Sequence, residues 1–168
     1  VIACECPVCS SDNTKDKRLR SSILIQSQST SVVIDTGPDF RQQMLRENVD
    51  RLNAVVYTHE HKDHVAGMDD VRAFNFKQRE DMEIYASMQV QTALKREFHY
   101  VFSSEKYPGV PSVNLNTIES ESFIIGDIHF MPIDVLHYKM PVKAFRINDF
   151  AYITDANFIS DESFDKLK

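Results

Sequence analysis

The sequence predicts an α/β fold in which two mixed β-sheets pack face to face and helices cover their outer faces. In the first part of the chain, strand-like and helix-like segments alternate, which is typical of strands joined by helical crossovers. In the second part, strand-like segments follow one another with short turns between them, which favours an antiparallel meander. The 168 residues, 42% of them hydrophobic, suffice for a single domain, or a part of one, with its own core.

The first part begins with two β-rich runs, 22–26 and 31–35, joined by a polar turn, and this pattern predicts a hairpin. Pro38 then favours a helix start, and apolar residues recur at helical spacing through about Asn48. The apolar run 53–58 predicts a strand buried on both faces. Three more elements are predicted: a helix over 64–78 with Val65, Met68, Val71, Phe74 and Phe76 on its apolar side, a short strand over 83–86, and a helix from the cap Ser87 to about Phe102 with Val90, Ala93, Leu94 and Phe98 facing inward.

The second part begins with residues 103–116, which are predicted to form a long loop. Loops of this length inside a compact domain are more often functional than idle. Residues 160–168 are predicted to begin a helix. Strands are predicted over 122–125, 128–136, 144–147 and 150–154, with tight turns at Gly126-Asp127 and Asn148-Asp149.

Segment 58–64 (THEHKDH) contains three of the six histidines of the chain and one aspartate. A strand turns residues i and i+2 to the same side, so His59 and His61 are predicted to leave the strand end pointing together. Asp63 and His64 follow where the chain must bend, and they can approach the same space from another angle. Four converging nitrogen and oxygen donors suit zinc, manganese or iron. The alternative is a polar loop with surface histidines.

Further ligands are expected at other strand ends, because one turn rarely satisfies a metal ion. His137 ends one predicted strand and Asp155 follows another. Either residue alone would more often be an ordinary loop-boundary residue. Together with segment 58–64 they predict a second set of ligands. An aspartate can bridge two ions, and two ions can clamp both the attacking and the leaving oxygen of a hydrolysis.

The three cysteines, Cys4, Cys6 and Cys9, lie within six residues of each other and cannot form a closed disulfide framework. Their spacing suits three corners of a structural zinc site, and free thiols are the alternative. The fourth ligand would come from His99, from His129 or from sequence outside this chain. Both interpretations indicate a reducing, cytoplasmic compartment.

The overall charge and hydropathy restrict the classes of partner. A net charge of −6 does not favour a protein held on nucleic acid by a broad basic face, and the one basic cluster, at 15–20, is short and broken by an acid. No apolar run approaches the roughly 20 residues that cross a bilayer, so no membrane span is predicted.

Segment 58–64 (THEHKDH), together with Asp35, His137 and Asp155, resembles the metallo-β-lactamase superfamily. Segments 4–9 (CECPVC), 18–22 (RLRSS) and 35–41 (DTGPDFR) narrow the resemblance to the PhnP-like branch of phosphoribosyl cyclic phosphodiesterases, and this match extends over essentially the whole chain. It implies an αββα sandwich. It also implies two metal sites: His59, His61 and His137 bind a first ion, Asp63 and His64 bind a second, and Asp155 bridges the two. Asp35 is implied to orient a ligand imidazole or the metal turn and to join Asp63 and His64 in catalysis. Cys4, Cys6 and Cys9 are implied to hold a structural zinc.

The resemblance implies hydrolysis of a small phosphodiester, such as 5-phosphoribosyl 1,2-cyclic phosphate, by a hydroxide that bridges two Mn²⁺ or Zn²⁺ ions. It allows a homodimer. Members of the branch carry a strand before the cysteines and further histidines after Asp155. This chain has neither, so we expect the N-terminal strand and the C-terminal part of the domain to lie outside it.

Other functions remain open from the sequence. A nuclease that processes tRNA 3′ ends is disfavoured by the acidic charge balance. A thioester or lactam hydrolase is disfavoured by the cysteine cluster. A non-catalytic metal-binding module is the alternative outside enzymes. Arginines 18, 20 and 41 and lysines 139 and 143 are candidates for binding phosphate oxygens, although such residues near strand ends are usually only solvated.

Overall fold

The structure is a computed structural model that describes residues 1–168, and it contains two β-sheets. The first sheet has five strands in the order β1-β2-β3-β4-β5. Its first pair is an antiparallel hairpin, as predicted, and its other pairs are parallel. Its strands are β1 (Ile23–Gln26), β2 (Ser31–Ile34), β3 (Ala54–Val56), β4 (Met82–Ala86) and β5 (Val113–Thr117).

The second sheet is an antiparallel meander of four strands in the order β6-β7-β8-β9. The turns at Gly126-Asp127 and Asn148-Asp149 join its strands as predicted. Its strands are β6 (Phe123–Ile125), β7 (Ile128–His137), β8 (Met140–Ile147) and β9 (Phe150–Tyr152).

Five short α-helices accompany the sheets: α1 (Phe40–Arg46), α2 (Lys62–Val65), α3 (Arg72–Gln78), α4 (Met88–Glu97) and α5 (Asp161–Asp165). Single 3-10 turns lie at Thr14–Asp16, Met68–Val71 and His99–Val101. Ser87 caps α4 through a hydrogen bond from the Val90 amide, as its place in the sequence predicts. None of the helices combines the length and the apolar character that crossing a membrane requires.

The core has two main layers because β2 and β3 are apolar on both faces. Val33 and Val55 point into the layer between the first sheet and the helices. Val32, Ile34 and Val56 point the other way, into the layer between the two sheets. All five side chains are fully buried. Val55 and Val56, on opposite faces of β3, confirm the prediction of a doubly buried strand, although the strand covers only Ala54–Val56 of the predicted 53–58. A smaller cluster on the outer face of β7 and β8 packs under the segment that contains α5.

The predicted single helix over 64–78 is wrong, because the chain forms α2, a 3-10 turn and α3 in succession. The break lies at Gly67, whose amide donates to the Thr36 carbonyl at 2.8 Å. A Cβ at Gly67 would lie 2.3 Å from the Gly37 carbonyl oxygen, so the chain turns where it packs against the loop after β2. The other residues of the predicted apolar side, Val65, Met68, Val71 and Phe74, are buried as predicted. Phe76 is 66% exposed, because two residues after Phe74 a helical side chain points about 200° away.

The predicted loop over 103–116 is wrong at its end, where β5 begins at Val113. This strand was not predicted because it contains Asn114 and Asn116, and asparagine is depleted in strands. In the structure their side-chain amides donate to the two carboxylate oxygens of Glu83 on β4, at 2.8 and 2.7 Å. A cross-strand polar contact therefore replaces the apolar alternation that would have marked the strand.

Candidate metal centre

Four chain segments meet where the strands of both sheets end. Asp35 follows β2, and segment 58–64 begins two residues after β3. From the second sheet, His137 ends β7 and Asp155 follows β9. We call the six donors His59, His61, Asp63, His64, His137 and Asp155 the metal cluster.

The side chains of the metal cluster converge on Asp155. Its Oδ2 atom lies 3.7 Å from His59 Nε2 and 3.5 Å from His64 Nε2, and His64 Nε2 lies 3.9 Å from Asp63 Oδ2. The ring centroids of His61 and His137 are 5.3 Å apart, and those of His59 and His137 are 6.1 Å apart. Two sets have donor atoms within 4.8 Å of one another: His59, His64 and Asp155, and His61, His137 and Asp155.

The spacing of these donors fits a metal ion. Two ligand atoms about 2.1 Å from one ion and about 110° apart lie roughly 3.4 Å from each other. The separations of 3.5 to 3.9 Å around Asp155 and His64 are close to that value. His59 Nε2 is buried and has no hydrogen-bond partner. Because buried polar atoms are rarely left without a partner, this nitrogen is suited to binding an ion.

Asp35 fixes the orientation of His64. The carboxylate is fully buried, and its Oδ2 atom lies 2.7 Å from His64 Nδ1. A carboxylate oxygen only accepts, so Nδ1 carries the proton, and the lone pair of the neutral ring is on Nε2, which faces Asp155. The two other bonds to Asp35 come from Thr58, whose amide donates to Oδ1 at 2.9 Å and whose hydroxyl donates to Oδ2 at 2.8 Å.

Thr58 fixes the tautomer of His59 in a similar way. Its hydroxyl oxygen lies 3.0 Å from His59 Nδ1, and its only proton is already donated to Asp35. The Nδ1 atom of His59 must therefore be the donor in this contact, which leaves the lone pair on Nε2. One buried carboxylate thus sets the tautomers of two imidazoles, directly for His64 and through Thr58 for His59.

The electrostatic environment shifts the pKa values of His59 and His64 in opposite directions. Burial, together with the neighbouring His64 and His61, lowers the pKa of His59 to about 4, so this ring is neutral at physiological pH. Burial would also lower the pKa of His64, but the hydrogen bond and the charge of Asp35, with the charges of Asp155 and Asp63, raise it. The pKa of Asp155 is lowered: burial opposes the shift, while a hydrogen bond from Thr154 and nearby histidines outweigh it.

The two aspartates next to the histidines, Asp35 and Asp155, share an unusual backbone conformation. Asp35 and Asp155 have φ angles of 63° and 53°, in the left-handed region that few residues other than Gly, Asn and Asp adopt. Thr154 donates its hydroxyl to Asp155 Oδ1 at 2.8 Å, so Oδ2 is the oxygen that faces the histidines. Local backbone strain of this kind is concentrated at functional sites.

Comparison with known proteins places this centre in a family. Residues 30–168 match the model of the beta-lactamase superfamily domain. The chain belongs to the metallo-β-lactamase superfamily. Within it the chain falls in the PhnP-like branch, because a diphosphatase of the PhnP family has the same fold with a TM-score of 0.91 and 36% identity. The chain is covered completely in that comparison and spans 64% of the diphosphatase chain.

Two further proteins are similar to this chain. An octanoyltransferase from Porphyromonas gingivalis is 36% identical over 99% of this chain, which spans only 34% of that protein. Zn²⁺-bound PqqB from Methylobacterium extorquens has the same fold with a TM-score of 0.73 at 19% identity, over 98% of this chain and 64% of its own. The chain is thus about a third as long as the curated relative and about two thirds as long as the solved ones.

The structure brings the predicted metallo-β-lactamase site residues together, while their assignment to individual ions stays a prediction. All six members of the metal cluster and Asp35 lie at one edge of the sandwich. The predicted division of the ligands between two ions assigns His59 and His61 to the same ion. The donor-atom sets group His59 with His64 and Asp155, and His61 with His137 and Asp155. The ring centroids of His59 and His61 are nevertheless only 4.7 Å apart.

The cysteines form a separate cluster. Cys4, Cys6 and Cys9 are free thiols whose sulfur atoms lie within 4.8 Å of one another. A hydrogen bond from the Cys9 amide, with further bonds from Cys4 and Cys9, lowers the pKa of Cys6 to about 7, which favours the thiolate form that zinc binds. Neither His99 nor His129 belongs to this cluster, so the two histidines proposed as the fourth ligand do not supply it here. The structural zinc stays a prediction.

Three residues of the site were not singled out from the sequence. Thr58 relays the hydrogen bond to His59, and Gly37 allows close packing, since a Cβ there would lie 2.3 Å from the Asp63 carbonyl oxygen. Asn157 accepts a hydrogen bond from the amide of Tyr138, which adopts a φ of 58° directly after His137. Adjacency to predicted ligands was the only available signal for Thr58 and Asn157, because Asp35 and Tyr138, with which they form hydrogen bonds, lie 23 and 19 residues away.

Proposed function

We propose that this protein is a divalent-metal-dependent hydrolase that cleaves phosphodiesters, with a small cyclic phosphate such as 5-phosphoribosyl 1,2-cyclic phosphate as the substrate. The observation that carries the proposal is the position of Asp155 Oδ2, at 3.7 Å from His59 Nε2 and 3.5 Å from His64 Nε2, in a carboxylate that the pair His61 and His137 also approaches. A carboxylate shared by two donor sets suits two ions, an arrangement that favours displacement at phosphorus.

The residues of the metal cluster have distinct parts in this proposal. His59, His61 and His137 would hold one ion, Asp63 and His64 the other, and Asp155 would lie between them. When bound, such ions stabilise developing negative charge and lower the pKa of a coordinated water. Asp35 and Thr58 keep the imidazoles in the tautomer that such ligands need, as their hydrogen bonds indicate.

A groove beside the metal cluster supports a small substrate. Its volume is about 550 Å³, within the range of small-molecule sites, and both His61 and His137 line it. Gln89 and Lys139 add an amide and a cation to its walls. The diphosphatase relative, at 36% identity, supports chemistry at phosphorus for a protein with this arrangement.

A second candidate is hydrolysis of an acyl thioester, favoured by the curated relative that is named an octanoyltransferase. This candidate has less support, because the similarity covers only 34% of that protein, and the name describes the whole of it.

The test is a substrate panel with the whole purified protein loaded with Mn²⁺. The panel consists of bis-nitrophenyl phosphate, a five-membered cyclic phosphate, a diphosphate ester, an octanoyl thioester and a chromogenic lactam. We expect the cyclic phosphate to be hydrolysed fastest, a chelator to abolish the activity and added metal to restore it. Asp63→Ala should lower kcat/KM about 100-fold or more, because a Lewis-acid ion contributes several kcal/mol to charge stabilisation.

The matched control is His129→Ala, which removes an exposed histidine of β7 outside the metal cluster and should leave activity unchanged. Rapid turnover of the thioester or lactam with no phosphodiester cleavage would refute the proposed reaction and favour the second candidate. Equal activity of Asp63→Ala and wild type would refute the proposed site.

A further inference from the structure

Arg20 lies at the edge of the metal cluster. Its Nη1 atom is 3.5 Å from Asp63 Oδ2, which makes Arg20 the only lysine or arginine in an ion pair with a member of the cluster. Lys62, although it lies inside segment 58–64, is directed away and pairs with Glu97. The positive charge next to the proposed centre therefore comes from a segment outside the histidine motif.

The backbone around Arg20 is held against the site by three hydrogen bonds. The Arg20 amide donates to Asp39 Oδ2 at 2.8 Å, and its carbonyl accepts from Gln43 Nε2 at 2.9 Å. Two residues later, the Ser22 hydroxyl donates to the carbonyl of Asp35 at 2.9 Å. The base of the Arg20 side chain is thus fixed by the loop and helix that follow β2, while its guanidinium extends over Asp63.

The contact with Asp63 does not account for the placement of Arg20. Both side chains are well exposed, 62% for Arg20 and 39% for Asp63, and exposed ion pairs contribute little to stability. The 3.5 Å separation is longer than a charged hydrogen bond, so the N–H donors of the guanidinium remain available to a ligand. An anion that lies against the cluster beside Asp63 is within reach of them.

We propose that Arg20 binds the non-bridging oxygens of the substrate phosphate and is a catalytic residue of this site. The proposal rests on the function proposed above. The planar guanidinium donates two parallel N–H groups, which match two phosphate oxygens. In hydrolysis, water supplies its oxygen to phosphorus and a proton to the leaving alcohol as the P–O bond to that alcohol breaks. Negative charge increases on the non-bridging oxygens in the transition state, so a cation fixed there stabilises it more than the bound substrate.

The experiment compares wild type, Arg20→Met and Arg20→Lys, with Arg18→Met as the matched control. Arg18 is an exposed arginine two residues earlier that makes no ion pair. Calorimetry on the whole Mn²⁺-loaded protein would give the dissociation constant of inorganic phosphate, and a competing chelator would give the affinity for Mn²⁺. Steady-state kinetics with bis-nitrophenyl phosphate would separate kcat from KM.

We expect Arg20→Met to weaken phosphate binding and lower kcat/KM, each roughly 10- to 100-fold, which is the effect of losing a hydrogen bond to a charged group. Arg20→Lys should recover part of the loss, because it restores the charge without the two-pronged geometry. Arg18→Met should change neither quantity by more than about twofold, and Mn²⁺ affinity should be the same in all four proteins, because Arg20 is not a ligand.

Unchanged phosphate binding in Arg20→Met would overturn the proposal, and so would a wild type that binds no phosphate. A parallel loss of Mn²⁺ affinity would also overturn it, because Arg20 would then act only by positioning Asp63. Phosphate binding that depends on Arg20 in a protein that cleaves no phosphodiester would sustain this anion site and refute the proposed reaction instead.

Discussion

Replacement of Asp35 by Asn tests the hydrogen-bond network beneath the metal cluster. Asp35 accepts from the Thr58 amide at Oδ1, and from the Thr58 hydroxyl and His64 Nδ1 at Oδ2. An asparagine that keeps its oxygen toward the amide must place its NH₂ group at the Oδ2 position. That group only donates, so His64 Nδ1 must become an acceptor and its proton moves to Nε2. The Thr58 hydroxyl then turns to donate to His59 Nδ1, and the proton of His59 moves to Nε2 as well.

Both nitrogens that face Asp155 would thus carry protons in Asp35→Asn and could no longer bind an ion. Losing the outer hydrogen-bond partner of one ligand typically costs 10- to 100-fold in metal affinity. Because Asp35 serves two imidazoles, we expect Asp35→Asn to lower Zn²⁺ affinity roughly 100-fold or more, about 2.7 kcal/mol at 1.36 kcal/mol per decade. The fold should persist, since the two side chains have the same shape, the bond from the Thr58 amide is kept and the two bonds at the Oδ2 position are reversed rather than lost.

The assay is competition with a chelator of known Zn²⁺ affinity, and ¹⁵N NMR of the imidazoles reports the tautomers independently. Thr36→Val is the matched control, because it breaks a buried hydrogen bond of 2.6 Å to the Tyr57 hydroxyl without touching an imidazole. It should cost about 1–3 kcal/mol of unfolding free energy and leave metal affinity unchanged. Wild-type affinity and tautomers in Asp35→Asn would refute the network argument.

Three further changes test neighbouring features. Thr58→Val should lower Zn²⁺ affinity about tenfold, because it removes the link from Asp35 to His59 and leaves the direct bond between Asp35 and His64 in place. Thr58→Ser should restore the affinity in the same competition assay. Gly37→Ala should lower the melting temperature and the metal affinity together, because the new Cβ would lie 2.3 Å from the Asp63 carbonyl oxygen. To reach a 3.0 Å contact, the two segments must separate by about 0.7 Å, whereas a metal site tolerates displacements of its ligands of only roughly 0.5 Å. Hydrogen bonds from hydroxyls of the β1–β2 turn lower the pKa of Asp127 to about 2, so its stabilising effect is present above the unfolded pKa of about 4 and is lost as pH falls toward 2. Urea unfolding of Asp127→Asn should accordingly show a deficit at pH 6 that narrows below pH 4, and a deficit that is independent of pH would contradict this assignment.

The sequence predicted the elements that have a strong local signal. The hairpin β1–β2 and the buried strand β3 were identified because their apolar residues form uninterrupted runs. The positions of His137 and Asp155 were predicted because each comes at the end of a predicted strand. Ligands placed at strand ends meet wherever the strands of two packed sheets finish together, so local placement sufficed to predict the cluster.

Features that depend on contacts between distant segments could not be predicted in this way. Asp35 was expected to orient an imidazole or the metal turn, but its bond to Thr58, which carries the effect on to His59, joins residues 23 positions apart. The break at Gly67 depends on the loop after β2, about 30 residues earlier in the chain. The strand β5 was missed because Glu83, the partner of its asparagines, lies 31 residues away. In each case the determining interaction is tertiary.

The metal cluster draws its members from both layers of the sandwich, which makes ion binding a part of the folding equilibrium. His59, His61, Asp63 and His64 follow β3 of the first sheet, whereas His137 ends β7 and Asp155 follows β9 of the second. An ion held by both groups is bound only while the sheets are packed, and at 100 times its dissociation constant it adds about 2.7 kcal/mol to the unfolding free energy. Chelation should therefore lower the melting temperature and speed amide exchange along β7 to β9, because no ion then links the two sheets.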